Sequence, residues 1–404
     1  MTTTQAPGRD VVPSLTDHPR NVFIVANNVE EVGGLQRVAH NLAQELSRRG
    51  HHVVLVALNH HTDQVSYISD PLYETFTIYE TREPKPLPKA SRLRRLSPRR
   101  HRYQARRQRA RADAVERLST LFRSVPDGIV ICAQIHVMAW VAQADTRHLR
   151  VIGQSHEQYE ASRGLTSASR GITRRYDGIM THYVDIDLFQ LLTAVDARKF
   201  EKDGLNNVAV MHNPLSFYPP EPAELTAKTV ITVGRYDPQK NQKALIAAFA
   251  LVVEQHPDWS LELWGTGPLQ EVLAGQIESL GLVENVRLMG PTQDVQSALL
   301  RSSVFALSSD FEGLPVVLCE AMACGVPCVS VDCGPGIAEI IRHEEDGLIV
   351  APGEIEQLAA SIVRLIEDEP LRRAMGERAR RNIRRFSTDE IMRQWDAIFD
   401  MVER

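Results

Sequence analysis

The feature that most constrains this chain is an alternation that begins twice. Short apolar runs rich in β-branched residues alternate with segments whose apolar positions recur at helical spacing. "NVFIVANN" (21–28) is apolar on both faces and bounded by polar residues, the pattern of a buried strand. In "VGGLQRVAHNLAQELSRRG", Leu35, Val38, Ala39, Leu42 and Leu46 share one helical face, and Gly50 stops the helix. "HHVVLVAL" is the next strand. Strand, helix and strand within ~40 residues make a right-handed βαβ unit. "GIVICAQ" (128–134), "LRVIGQSHE" (149–157), "GIMTHYV" (178–184) and "VAVMHNPL" (208–215) extend the series. A proline-rich, aperiodic stretch, "SFYPPEPAELTA" (216–227), then interrupts it and reads as a linker.

The alternation restarts at "KTVITVGRY" and runs through "WSLELWGTG", "NVRLMG", "SSVFALSS" and "PCVSVD", with helices between them and a further helix over 355–367. The expected fold is therefore α/β, with two Rossmann-like, doubly wound domains facing each other across a cleft. The expected boundaries are a disordered tail over 1–20, a first domain over 21–215, a linker over 216–228 and a second domain over 229–386. A C-terminal amphipathic helix over 387–404, capped by Ser387 or Thr388, is expected to pack back on the first domain. A length of 404 residues supports two full cores.

Composition narrows the function classes. Hydrophobic residues make up 43% and charged residues 24%, the balance of a soluble globular chain. A net charge of -5 gives no overall pull toward nucleic acid or an anionic bilayer. No apolar run is long and clean enough to span a membrane; "GIVICAQIHVMAW" is broken by Gln134 and His136. The first twenty residues carry no apolar core of a signal peptide. Five cysteines without a paired framework fit a reducing cytoplasm. Cys319, Cys324, Cys328 and Cys333 lie close in sequence, but no CxxC pair occurs and the helix–turn–strand pattern would scatter the thiols. They read as small buried hydrophobes, not a zinc site.

The densest chemical signal is "DFEGLPVVLCEAMACGVP" (310–327). Gly313 permits an unusual backbone, and Pro315 suits the first turn of a helix. The N–H groups of Val316 and Val317 then form an anion site suited to phosphate, beside Leu314. Glu320 lies about one turn on, and helical side chains lean toward the N-terminus. A carboxylate beside a phosphate is unwelcome unless it accepts from hydroxyls, as a ribose diol would offer. Glu312, in the preceding loop, could accept from hydroxyls on the other side of the phosphates. The pattern fits a nucleotide sugar; the plainer alternative is a capped surface helix with two solvated acids.

In the setting "SSDFEGLPVVLCEAMACGVPCVS", this Glu–seven residues–Glu pattern resembles the signature of glycosyltransferase family 4, retaining enzymes of the GT-B fold. The similarity extends from about residue 21 to the end and is strongest over 229–353. It implies that Glu312 contacts donor-sugar hydroxyls and that Glu320 binds the nucleotide ribose. In "VGRYDPQKN", Arg235 and Lys240 follow a strand, spaced to clamp a diphosphate, which the resemblance also implies. Neutralising that group is the main catalytic demand when a nucleoside diphosphate leaves. Gly33 and Gly34 precede the first helix, and the resemblance implies a loop that closes over the donor phosphates. It further implies that His156, in "GQSHEQYE", contacts the transferred sugar; a lone histidine is otherwise more often structural. Glu157 departs from the Asp common next to that His. Gly265 and Gly267 would line the phosphates and base, and Gly290 and Pro291 the base. His136 is a weaker candidate for the acceptor side.

The implied catalytic set is His156, Glu312, Arg235 and Lys240. No DxD motif occurs at the donor, since "SSD" with Asp310 is not one, so neither a cofactor nor an obligatory metal is expected. The implied chemistry is transfer of a sugar with retention, from a nucleoside diphosphate donor, UDP being the default, to a hydroxyl of a glycan, lipid-linked or polymer acceptor. A front-face substitution, in which the leaving phosphate helps deprotonate the acceptor, is the mechanism usually given for the family. "PCVSVDCGPG" resembles members that build cell-surface glycans. Three rivals stay open: a nucleotide-sugar hydrolase or epimerase of the same fold, a sugar-nucleotide binding protein without chemistry, and a non-catalytic protein that binds anionic polymers.

"RLRRLSPRRHRYQARRQRAR" (92–111) breaks the α/β pattern with ten arginines in twenty residues. Its arginines, Arg99, Arg100, Arg106 and Arg107 among them, are expected to dock an anionic acceptor, either a lipid-linked glycan at the inner face of a membrane or a polymer with a phosphate backbone, with Leu93, Leu96 and Tyr103 as a sparse apolar edge. Interleaved aromatics are nearly absent, so no nucleic-acid partner is expected.

Overall fold

The structure is a computed structural model that describes residues 18–31, 33–60, 66–79, 83–84, 97–163 and 179–404. Among the described residues, thirteen strands form two sheets. The first comprises β1 (Asn21–Ala26), β2 (His52–Asn59), β3 (Glu74–Tyr79), β4 (Gly128–Cys132), β5 (Leu149–Ser155), β6 (Leu188–Leu191) and β7 (Val208–Val210). Its order is β3-β2-β1-β4-β5-β6-β7. The second comprises β8 (Thr229–Val233), β9 (Ser260–Trp264), β10 (Val286–Gly290), β11 (Val304–Leu307), β12 (Cys328–Val331) and β13 (Gly347–Val350), in the order β10-β9-β8-β11-β12-β13. Both have the doubly wound order in which the first strand lies inside the sheet. The strand order therefore reverses between β1 and β4 and again between β8 and β11, although the strands stay parallel, and such switch points are where open α/β sheets bind ligands.

The parallel registers follow from the apolar runs. Val22 pairs with Val53 on one side and Ile129 on the other, and Val230 pairs with Leu261 and Val304. Central strands are buried on both faces, which explains their continuous hydrophobicity; Val22, Ile24, Ile129, Ile131, Ile231 and Phe305 are fully inaccessible.

The chain divides into two compact units. One comprises Met1–Gln154, Val184–Asp187 and Trp395–Arg404, and the other Ser155–Tyr183 and Leu188–Gln394. Two details correct the sequence reading. "GIMTHYV" supplies no strand in its described part: residues 179–182 are helical, and the strand is the buried run Leu188–Leu191 that follows. The strand β3 had no counterpart in the sequence reading; it is the edge strand, largely half-buried or exposed, so it lacks an apolar signal.

The expected tail lies outside the described residues up to 17, but its last residue is firmly placed. Arg20 is buried and donates from Nε and Nη2 to Glu403 at 2.8 and 2.9 Å, and from Nη2 to Asp400 at 2.6 Å. These acids lie at the end of the C-terminal helix Thr388–Val402. Under it sits His51, edge-on to Phe399 with ring centres 5.7 Å apart. The Nδ1 of His51 accepts from the Arg20 backbone N–H at 3.2 Å, so the neutral ring carries its proton on Nε2. The proline-rich stretch is held to the helix Glu369–Asn382: Arg372, Arg373 and Arg380 donate to the carbonyls of Leu225, Glu224, Pro219 and Pro220. Tyr218 lies beneath the guanidinium of Arg380, 4.2 Å from its ring centre.

Burial, and secondarily the charges of Arg20 and Arg49, push the His51 imidazole down to about 4. The unfolded chain takes up this proton near its ordinary value of about 6.5, whereas the folded one does not until near 4. Stability linked to His51 is therefore complete above pH 7 and is lost as pH falls from 6.5 toward 4. We expect the stability difference between pH 7.5 and 4.5 to shrink by about 2 kcal/mol in His51→Asn relative to wild type. Urea unfolding at both pH values reads this, and parallel pH profiles in the two proteins would refute it.

Candidate donor site

The loops leaving β8 and β11 meet at the second switch point. After β8, Asp237 caps a short 3-10 turn, Pro238–Lys240, by accepting from the Lys240 N–H at 3.2 Å. The Asp237 carboxylate, itself buried, also accepts from Arg235 Nε at 2.7 Å. The guanidinium of Arg235 remains largely exposed, with its side chain 68% accessible. Lys240 points the other way. Its Nζ donates to Glu312 Oε1 at 2.6 Å, and Ser309 Oγ donates to the same oxygen at 2.7 Å. Both contacts fall on Oε1. Backbone ties lock the two loops together: Asp310 N–H donates to the Gln239 carbonyl at 2.8 Å, and Ser308 Oγ to the Asn241 carbonyl at 3.0 Å. Asn241 adopts the left-handed conformation, with φ 44°, and its side chain reaches Asp310 at 2.7 Å.

Pro315 is the N-cap of the helix Val316–Ala323, extended at φ -70° and ψ 105°, one residue ahead of the first turn in which the sequence placed it. The first bonds of that helix run from the N–H groups of Leu318 and Cys319 to the Pro315 carbonyl. The N–H groups of Val316 and Val317 therefore have no intrahelical acceptor and lie at the positive end of the helix. Leu314 is buried beneath the turn. Glu320, one turn along, is 2% exposed.

Two glycines allow backbone to stack on backbone here. A Cβ on Gly313 would lie 2.1 Å from the His156 carbonyl oxygen, and one on Gly265, at φ 152°, would lie 2.0 Å from that of Gly234. The first approach places His156 beside the Glu312–Gly313 turn. Burial pushes the His156 imidazole down to about 4, so it is neutral near pH 7. It can donate or accept a hydrogen bond there without bringing charge. Gly267 packs against the backbone of Tyr236, whose phenol is buried and donates to the Leu263 carbonyl at 2.6 Å. Tyr236 thereby fixes the Arg235 loop to the Gly265–Gly267 loop. Gly290 accepts from the Gly265 N–H at 2.8 Å, and Pro291 follows it at the surface.

The structure thus brings Arg235, Lys240, Gly265, Gly267, Gly290, Pro291, Glu312, Gly313, Leu314, Val316, Val317, Glu320 and His156 into one compact unit. Gly33 and Gly34 belong to the other unit, at the start of the helix Gly34–Arg48. There the Gly33 N–H donates to the Tyr67 hydroxyl at 2.7 Å. His136 is exposed on the helix Ile135–Val141. Sequence reasoning missed Asp237, Ser309 and Tyr236. Only Asp237 left a usable signal, since Asp-Pro-x-Lys is a capped-turn pattern. Among the described residues, no group of three or more His, Cys, Asp and Glu side chains could hold a metal ion. All five cysteines are free and buried.

Comparison with known proteins agrees with this architecture. Residues 218–382 match the family described as glycosyl transferases group 1. Over 184 residues, 45% of the chain, the sequence is 44% identical to an exopolysaccharide phosphotransferase of Streptomyces coelicolor, of which the match covers 20%. Over 176 residues, 43% of the chain, it is 29% identical to a poly(ribitol-phosphate) alpha-N-acetylglucosaminyltransferase of Staphylococcus aureus, of which the match covers 36%. The chain spans between a fifth and three fifths of the length of the curated relatives it matches. The crystal structure of S. aureus TarM, a G117R mutant in complex with fondaparinux, alpha-GlcNAc-glycerol and UDP, superposes with a TM-score of 0.78 at 16% identity, covering 94% of this chain and 99% of that one. The fold is GT-B.

The glycine contacts give a direct test. Gly313→Ala must displace the His156 backbone and is expected to cost on the order of 1–3 kcal/mol. A Cβ on Gly34 meets nothing within 4 Å. Gly34→Ala is therefore expected to be neutral or to stabilise by up to about 1 kcal/mol. Urea unfolding measures both, and a fully stable Gly313→Ala would contradict the close approach.

Proposed function

We propose that this protein is a retaining glycosyltransferase that moves a sugar from a nucleoside diphosphate sugar to a hydroxyl acceptor. The observation that carries the reading is the Lys240–Glu312–Ser309 cluster, with Arg235 held by Asp237 and a helix N-terminus alongside. In this assignment the diphosphate lies between Arg235, Lys240 and the N–H groups of Val316 and Val317. Glu320 accepts from the ribose hydroxyls, and Glu312 from hydroxyls of the sugar. Lys240 and Glu312 are partners in the free site. Diphosphate would draw Lys240 away and leave the Glu312 carboxylate to the sugar. Transfer then breaks the bond between the sugar C1 and the phosphate oxygen and forms one from C1 to the acceptor oxygen. The acceptor proton passes to the departing phosphate, whose charge Arg235 and Lys240 stabilise. Neutral His156 offers a hydrogen bond to the sugar.

UDP is the donor nucleotide we favour, supported by its presence in the TarM complex. The acceptor class we favour is a glycan or a polymer of the kind named for the curated relatives. Free, buried thiols suit action in the reducing cytoplasm. Arg235 and Lys240 supply the charge that a metal would otherwise bring, so transfer should not require one.

Glu320→Ala should weaken UDP binding by about 2–3 kcal/mol, the loss of hydrogen bonds to a charged acceptor. Glu312→Ala should spare UDP binding and reduce transfer. Arg235→Ala and Lys240→Ala should each lower turnover by roughly 100-fold or more. Calorimetry with UDP and a transfer assay with and without EDTA separate these effects. Wild-type UDP affinity in Glu320→Ala would remove its ribose role, and complete loss of activity in EDTA would point to a metal-dependent site. Product analysis distinguishes transfer from hydrolysis or epimerisation, and NMR of the product anomer tests retention.

A further inference from the structure

The arginine-rich segment folds, from residue 98 on, into the helix Pro98–Phe122. Its buried residues, Ala114, Leu118, Ser119 and Phe122, all lie in the C-terminal half. No residue of the helix from Pro98 through Asp113 is fully buried. Its arginines divide into two sets. Arg107 donates to the Pro84 carbonyl at 2.8 Å and pairs with Glu83 at 3.1 Å, and Arg111 lies over Trp140 at 4.6 Å. These fasten the helix to its own unit. Arg100 is half-buried. The other set is Arg99, Arg102, Arg106 and Arg109. All four are exposed, and among the described residues none has a hydrogen-bond or ion-pair partner. Their spacing of three, four and three residues puts them on one face, in a row about 15 Å long.

Nothing in the fold accounts for this row. Four like charges at neighbouring positions repel, and Arg99, in the first turn, lies where a cation is least favoured. No acidic side chain occurs between Pro98 and Ala112 to relieve them. The segment 92–111 contains ten arginines and no lysine. Arginine presents a planar fork that matches phosphate oxygens in pairs, where lysine offers a point charge. The row also lacks what a membrane-binding helix needs. No large hydrophobic side chain of this helix is exposed, and the residues between the arginines include Ala105, Gln104 and Gln108.

We propose that Arg99, Arg102, Arg106 and Arg109 form a binding rail for a linear phosphodiester polymer, whose regularly spaced charges lie along the helix. This refines the expected set, of which Arg107 is committed to Glu83, and of the two expected partners it selects the polymer over the membrane surface. It rests on the transferase reading only in identifying that polymer as the acceptor; the rail binds whether or not transfer follows.

The test is equilibrium binding of the full chain to poly(glycerol phosphate), with glycerol 3-phosphate, phosphatidylglycerol vesicles and duplex DNA as alternative probes. Wild type should bind the polymer, and the slope of log K against log salt should fall by about three to four in Arg99→Gln/Arg102→Gln/Arg106→Gln/Arg109→Gln. Affinity in that variant should drop at least tenfold, while UDP binding and circular dichroism stay unchanged. The corresponding four-lysine variant should keep part of the affinity, and neutralising Arg378 and Arg381 should keep all of it. Glycerol 3-phosphate should not compete at matched phosphate concentration. Polymer binding that survives in the glutamine variant overturns the proposal. So does stronger binding to vesicles or DNA than to the polymer. Polymer binding without sugar transfer would leave the rail intact and remove the transferase reading instead.

Discussion

Lys240 and Glu312 meet at 2.6 Å where the loops leaving β8 and β11 come together. Neither residue could hold its position alone. Both side chains are largely withdrawn from water, at 21% and 10% accessible. A charge so placed needs a partner or a shifted protonation state. The pair satisfies both charges, and Ser309 adds a second donor to the same carboxylate oxygen. Around it, the Asp237 cap, the left-handed Asn241 and the Gln239–Asp310 backbone bond set the loop geometry. The site is thus assembled by strands that are neighbours in the sheet but 70 residues apart in the chain, as β8 and β11 are.

Glycines do the complementary work. Where the chain must pass within contact of itself, at Gly313 over His156 and Gly265 over Gly234, a side chain would fill the space that lets the two loops share one crevice. Ion pairing draws the loops together, and the missing Cβ atoms let them close. A fold of this order concentrates both at the switch point, because only there do two loops diverge and leave room between them.

Much of this was legible in the sequence, and the exceptions have physical causes. Strands buried on both faces, such as β1, β4, β8 and β11, announce themselves as unbroken β-branched runs. The edge strand β3, "ETFTIY", does not, because one side of it faces water. "GIMTHYV" looks extended by composition, yet the buried strand is "LFQL", which begins at Leu188. Glu312, Glu320, Arg235 and Lys240 stood out because acids and bases around a Gly-Pro turn are chemically conspicuous. Asp237, Ser309 and Tyr236 did not, since their roles depend on which loops the sheet order brings face to face. The arginine run was visible as charge, but only the helix phase separates Arg107, bound to Glu83, from the free row of Arg99, Arg102, Arg106 and Arg109.

The most direct test of the proposed exchange of Lys240 between Glu312 and a diphosphate is a double-mutant cycle on Lys240→Met and Glu312→Gln, read by urea unfolding with and without saturating UDP. The two side chains should couple by about 1–3 kcal/mol in the free protein, as contacting charges do. With UDP bound, the coupling should collapse toward zero, because Lys240 has turned to the diphosphate. A coupling energy that is the same with and without UDP would mean that the pair is a fixed strut, and that the diphosphate lies elsewhere.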